Sequence, residues 1–345
     1  MSAKPLPSDF VLDLHDLASI VLHCHARFED RFVNTQLVEV NNGTTRLQSL
    51  PPHILPQQWD IAGAINKQRR IAYILRKDPS LSERVEVNTF AHPEGVKLPP
   101  SFKLGTRELE DILWRCKTFD SGYLLAYVAQ SVFERLPGTA RLHARTSSGH
   151  EIFCAPSDVM VAEFEILPHE TCCMVAYKPR PDLGPTRVDL EQHLSGMGNI
   201  VPWIYLMIGK PISEDLDTDT RVVFDLAITQ IGGRGAGGEL FALERGFDYH
   251  NKLLCRYAEE QGDLQVSGKL MMSPVALRKQ GDTLTDMVME RLQKLASGNV
   301  DFCRYCGKDD ISTRCTKCKK AWFCRDCQAP GWKYHKVWCR PSVQE

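Results

Sequence analysis

Seven of the 13 cysteines fall between Cys303 and Cys339. The ligand-type residues there run Cys303, Cys306, Cys315, Cys318, Cys324, Cys327, His335 and Cys339. Three of the pairs are spaced C-x2-C and the last is H-x3-C. A two-residue gap suits a tight knuckle that turns both sulfurs toward one ion, and zinc takes four such soft or borderline ligands tetrahedrally. Eight ligands predict two Zn2+ ions. His335 and Cys339 stand four residues apart, so a helix through Trp332 to Arg340 would set both on one face, with Trp332 beside them. With every ligand supplied by protein, neither ion keeps the open position that hydrolytic zinc requires, and the expected role is structural. Chains below about 40 residues usually need metals, disulfides or oligomerisation to fold. A structural zinc supplies roughly 10–16 kcal/mol in finger peptides, so this tail is expected to unfold without it. Spacing alone leaves interleaved and sequential ligand pairing open.

Histidine in seventh place separates this tail from RING fingers, which carry it fourth, and PHD fingers, which carry it fifth. The string C-x2-C-x8-C-x2-C-x5-C-x2-C-Q-x3-W-x2-H-K-x2-C resembles the MYND zinc finger, and Gln328, Trp332 and Lys336 fit as well as the ligands do. The third pair, Cys324 and Cys327, has two intervening residues where the family usually has three. HIT-type fingers share the ligand order but usually lack the Q-x3-W-x2-H-K stretch. The resemblance implies interleaved pairing, with Cys303, Cys306, Cys324 and Cys327 on one zinc and Cys315, Cys318, His335 and Cys339 on the other. It also implies a protein-interaction module. Some MYND fingers hold short proline-rich peptides through the matching glutamine and tryptophan, here Gln328 and Trp332. A packing role for Trp332 against the His335 site is the competing expectation.

The rest of the chain must position this tail. Val11, Leu14, Leu17 and Val21 recur at helical spacing from Asp9 to about Phe28, with Ser8 or Asp9 as cap. A second apolar stripe through Trp59, Ala62, Ile65, Ala72 and Leu75 predicts another helix. Further helices are expected at Arg107 to Cys116 and Gly122 to Leu136, capped by Thr106 and Ser121. Residues up to about 136 therefore read as mainly helical. The period then changes: Ala140 to Thr146, Glu151 to Ala155, Val159 to Leu167, Thr171 to Lys178 and Val222 to Ile231 predict strands. A last helix carries Leu284, Met287, Val288, Leu292 and Leu295, started by Asp282 or Thr283 and broken at Ser297-Gly298-Asn299. The expected organisation is a mixed α/β (α+β) body over residues 1–298, of no assigned family, and a two-zinc MYND-like finger over 301–340.

Other constellations in the body are weaker. Gly233, Gly235 and Gly238 spell G-x-G-x-x-G, which binds a dinucleotide only between a strand and a helix. His23, His25 and Glu29 have the H-x-H-x3-E spacing of one cupin metal motif but sit in a helical pattern, where a helix surface is expected. Asp215, Asp217 and Asp219 begin like a calcium loop, yet Thr220 stands at the glycine position and Leu226 at the bidentate glutamate position. His143, His150, Cys154, Cys172 and Cys173 lie among the strands, and Cys116 reads as core. No G-x4-G-K-S/T is present, nor the N-H-S-C core motif of the SET methyltransferases that some MYND proteins carry. No catalytic motif emerges.

Forty-two basic and 43 acidic side chains leave a net charge of -1, so no chain-wide cationic field draws in nucleic acid or anionic lipid. Met1 to Phe10 lacks a secretory pattern, and the apolar run Ile200 to Ile208 is far short of the roughly 20 residues of a membrane span. The expectation is an intracellular protein, cytoplasmic or nuclear, with no membrane partner. In a reducing compartment clustered cysteines are metal ligands or catalytic groups more often than disulfides. The leading expectation is an adaptor whose finger recruits a partner protein; the alternative is an enzyme with its active site in residues 1–298.

Overall fold

Asp13 starts the first helix, because its carboxylate accepts the amide of His15 at 2.9 Å and caps the first turn. In the computed structural model, Val11–Asp13 is a short strand (β1) and Leu14–Phe28 the helix (α1). The structure describes residues 5–29, 31–32, 34–50, 59, 69–78, 95–100, 102–184, 187–195, 200–210, 220–270, 275–298, 302–309, 311 and 313–340. The expected helix start at Ser8 or Asp9 moves to Asp13, since β1 pairs in parallel with Arg141, Leu142 and His143 and cannot coil.

Thr35–Asn41 (β2) and Arg69–Lys77 (β3) are strands, so the expectation of a mainly helical first 136 residues is corrected there. Tyr73 and Leu75 are buried in one core cluster, whereas Ala72 and Ile74 are buried in another beside Trp59. A strand covered on both faces reads as a continuous apolar run, which masks its period of two and mimics half a helical stripe. Ala62 and Ile65 of that stripe lie outside the described residues. Helices Thr106–Lys117 (α2) and Gly122–Arg135 (α3) follow. The carboxylate of Glu108, not the Thr106 hydroxyl, caps α2 by accepting the Gly105 amide at 3.0 Å.

Strands Arg141–Arg145 (β4), Glu151–Cys154 (β5), Val159–Pro168 (β6) and Glu170–Pro179 (β7) match the expected spans to within one residue at each end. Along β6, Phe164 and Ile166 are buried and Glu165 is exposed, as the alternation requires. Val188–Ser195 (β8) and Val201–Ile208 (β9) come next, then Val222–Asp225 (β10), Ala242–Arg245 (β11) and Ala258–Ser267 (β12). The expected strand Val222 to Ile231 stops at Asp225, whose buried carboxylate accepts the Ala227 amide at 2.7 Å and turns the chain into a 3-10 helix at Ile228–Ile231.

One sheet runs β2-β3-β7-β8 with β3 parallel to β7; a second, wholly antiparallel, runs β11-β10-β9-β6-β12; a third is β1-β4-β5. Val275–Ala296 (α4) starts earlier than Asp282 and completes a core in which Leu17, Val21, Leu125, Val128, Leu284 and Val288 meet Leu206 of β9. The fold is thus mixed helix and sheet. No helix among the described residues is long and apolar enough to cross a membrane. The tail adds a two-stranded ribbon, Thr313–Arg314 (β13) with Trp322–Phe323 (β14), and the helix Gln328–Trp338 (α5).

Candidate metal centre

Two knuckles bring the first four cysteines into place. The Gly307 amide bonds to the Cys303 carbonyl at 2.7 Å, and the Lys319 amide to that of Cys315 at 2.9 Å. Gly307 and Lys319 both take left-handed backbone, with φ of +71° and +57°, so each C-x2-C segment closes tightly on itself. Cys324 and Cys327 flank the short turn that leads into α5, which starts at Gln328 rather than Trp332 and carries His335, with Cys339 just past its end. Pro330 sits in the first turn, where the missing amide costs nothing.

These elements gather the ligands into two groups: Cys303, Cys306, Cys324 and Cys327, and Cys315, Cys318, His335 and Cys339. Within each group the ligand atoms all lie within 4.8 Å of one another. The order is interleaved, because β13 and β14 fold the middle of the tail back on itself. Cys306 Sγ lies 3.9 Å from Cys324 Sγ, Cys315 Sγ 3.7 Å from Cys339 Sγ, and Cys318 Sγ 3.3 Å from His335 Nε2. A tetrahedral ion with arms of about 2.3 Å to sulfur and about 2.0 Å to nitrogen needs edges of about 3.8 Å and about 3.5 Å. Covalent disulfides would need about 2.05 Å. Each quartet therefore has the spacing and donor set to hold one metal ion, with no position left open.

The protonation pattern agrees. S–H donation from Cys306 and Cys327 holds Cys303 well below the usual thiol range, whereas sharing that proton raises Cys306. Such a quartet holds its remaining protons tightly, and uptake of a divalent ion must release them. Burial, helped by Arg304, pushes His335 down to about 3, so its ring is neutral at pH 7 and offers a lone pair at Nε2.

The tail is seated on the body. Phe302 belongs to the main core, and Arg27 donates to the Gly307 carbonyl at 2.6 Å and to Asp309 at 3.1 Å. Arg291 also grips Asp309. His23 Nε2 lies 3.3 Å from the Arg304 carbonyl, Arg145 donates to the Trp338 carbonyl at 3.2 Å, and the rings of His15 and Trp338 stand 4.2 Å apart. On the other side, α5 rests on the glycine run. A Cβ on Gly237 would meet Val337 Cγ2 at 2.6 Å, and one on Gly235 would meet the Phe241 carbonyl at 1.9 Å.

The strand-to-helix context that a dinucleotide site needs is not met. Gly233, Gly235 and Gly238 follow a 3-10 turn and lead into β11, not a helix, and their amides bond within the loop to Ile228, Glu239 and Gly235. None of the three is left to receive a phosphate. The glycines serve close packing instead.

Gln328 and Trp332 face outward. Trp332 is 43% exposed, and its ring meets the His335 ring edge-on at 5.7 Å, the contact that the packing expectation names. With Gln328, Arg314, Phe323 and Arg325 it lines a groove of about 420 Å³ beside Cys315.

The remaining candidates disperse. His23, His25 and Glu29 are buried, which corrects the expected helix surface, and each has its own partner: the Arg304 carbonyl, the Lys117 carbonyl and Arg31. His143 pairs with Glu151 and stacks on Phe153, and His150 donates to the Thr220 carbonyl. Cys172 and Cys173 belong to different core clusters of the β3–β7 sheet, and burial pushes the Cys154 thiol up to about 11. Cys116 is buried in the core, as expected. Asp215, Asp217 and Asp219 lie outside the described residues. Arg304, Tyr305 and Tyr334, which join tail to body, carried no sequence signal beyond lying near ligands, and Glu110 on α2 carried none. No family model matches this chain, and no curated protein or solved structure matches it.

Proposed function

We propose that residues 301–340 form a MYND-type finger around two structural Zn2+ ions, and that the chain is an intracellular adaptor whose finger recruits a partner protein. The observation that carries this reading is the groove of about 420 Å³ walled by Gln328 and Trp332, the residues that match the peptide-contacting positions of the resembled family. Seven thiol ligands and one imidazole favour zinc over harder cations, and thiol sites of this kind persist where thiols stay reduced. An apolar, extended proline-rich segment is the natural occupant. Its backbone loses little entropy on binding, and an exposed indole offers it a flat apolar face.

The test uses the full chain. Elemental measurement is expected to give two zinc per chain, and a labelled proline-rich peptide to bind with micromolar-range affinity. Trp332→Ala is expected to weaken the peptide by roughly tenfold or more, the loss of an aromatic anchor, while retaining both ions. Unchanged peptide binding rejects the groove; loss of zinc assigns Trp332 to packing.

A further inference from the structure

Glu110, on α2, stands where the tail meets the body. Its Oε2 accepts the Tyr334 hydroxyl at 2.8 Å and the Tyr305 hydroxyl at 3.3 Å. Its Oε1 accepts no hydrogen bond from the described residues although Glu110 is 2% exposed; Arg234 Nη1 stands 3.6 Å away, an ion pair without hydrogen-bond contact. Two more buried polar atoms share that condition, Nη2 of Arg304 and Nδ1 of His335. Glu110, Arg304 and His335 line one small, partly enclosed void with room for about 20 Å³, together with Glu239 and the apolar walls of Leu240 and Phe323.

A void of about 10–15 Å³ or more takes one water if it offers two to four polar partners. This one meets both conditions. The second condition is specific in sign: with a metal on Nε2, the ring proton must sit on Nδ1, so His335 and Arg304 are donors while Glu110 Oε1 and the Glu239 carboxylate are acceptors. Two donors and two acceptors match the four hydrogen bonds of a water molecule. We infer that one buried water fills this void and bridges His335 Nδ1–H to Glu110 Oε1, which makes a carboxylate of the body a positioning residue for the second metal site. Metal-bound histidines generally give their other N–H to a carboxylate, a carbonyl or water, which fixes the ring and raises its basicity. Here that support crosses from the tail into α2, so metal affinity at one quartet depends on a residue 225 positions away in sequence.

The inference rests on the assignment of His335 as a metal ligand, and the test separates the two. Full-length protein is loaded with Co2+, whose visible spectrum distinguishes an all-sulfur site from one with three sulfurs and a nitrogen, and then titrated with a competing chelator. Glu110→Ala is expected to lower affinity at the mixed site by about 10- to 100-fold and to leave the all-sulfur site unchanged. Glu110→Gln, which keeps an oxygen acceptor, is expected to restore most of it. Tyr305→Phe with Tyr334→Phe removes the bonds to Oε2, and with them the Arg107 bond to the Tyr334 hydroxyl, but leaves Oε1 in place, and is expected to keep the affinity. Equal losses in Glu110→Ala and the double phenylalanine variant would assign the effect to docking and overturn the bridge. So would a high-resolution crystal structure of the wild-type protein with the void empty, whatever the variants do. A wild-type chain showing no mixed-ligand spectrum refutes the ligand assignment itself.

Discussion

Replacing Gly237 by alanine is the most direct challenge to the seat of α5. Gly237 has φ of +69°, and a Cβ there would stand 2.6 Å from Val337 Cγ2 and 3.3 Å from the Tyr334 carbonyl oxygen. Left-handed backbone costs an alanine roughly 1–2 kcal/mol. Forcing a methyl into a close-packed contact adds about 1–3 kcal/mol. The total expected is about 2–5 kcal/mol against the folded state, of which only the contact part, about 1–3 kcal/mol, opposes docking and raises the population of an undocked tail by roughly 5- to 160-fold. Gly149, with φ of +88° and nothing within 4 Å of its ideal Cβ, is the matched control: Gly149→Ala carries the backbone cost alone. Urea unfolding followed by tryptophan fluorescence measures the stabilities, and limited proteolysis of the tail measures undocking. Gly237→Ala is expected to be about 1–3 kcal/mol less stable than Gly149→Ala and to lose its tail to protease first. Equal stability and equal proteolysis of the two variants would refute the idea that the glycine run holds the helix.

Two further outcomes follow from the site and the core. Cys315→Ser is expected to release about one equivalent of metal and to leave the Cys303, Cys306, Cys324 and Cys327 quartet loaded; elemental analysis showing both ions retained contradicts the grouping. Burial pushes His23 and His25 each down to about 4, below the ordinary histidine value of 6.5, so the unfolded chain takes up protons before the folded one does. Their contribution is therefore complete above about pH 6.5 and is lost as pH falls toward 4, by about 3 kcal/mol for each ring at the lower limit. Denaturant titrations at pH 7 and pH 4.5 giving the same stability would contradict this.

The candidate metal ligands were legible because chemistry fixes their type and spacing. The seven cysteines and His335 stand in sequence where two tetrahedral quartets need them, and knuckle geometry is local. The interleaved grouping needed the fold of β13 onto β14, a pairing that leaves little trace in composition. Strand β6 was legible from alternation, whereas β3 was not, since burial on both faces erased it; β7 is covered on both faces as well and showed only as a short apolar run. Asp225 likewise ended β10 early by a side-chain-to-backbone bond that hydrophobic patterning does not register. The glycine run spells a motif in the sequence, but its packing role depends on Val337 and Tyr334, about a hundred residues later. The least legible feature was the joint: Glu110 reads as an ordinary helix residue until the tail arrives to bury it.

Helix α5 turns Tyr334, Val337 and Trp338 inward against the body and keeps Gln328 and Trp332 on the solvent side. A fragment cut away near residue 300 would bare that inward side and expose a surface that the intact chain keeps covered. Bait experiments with such a fragment would collect proteins on a surface that the whole molecule never displays, so the search for a companion belongs with the uncut chain.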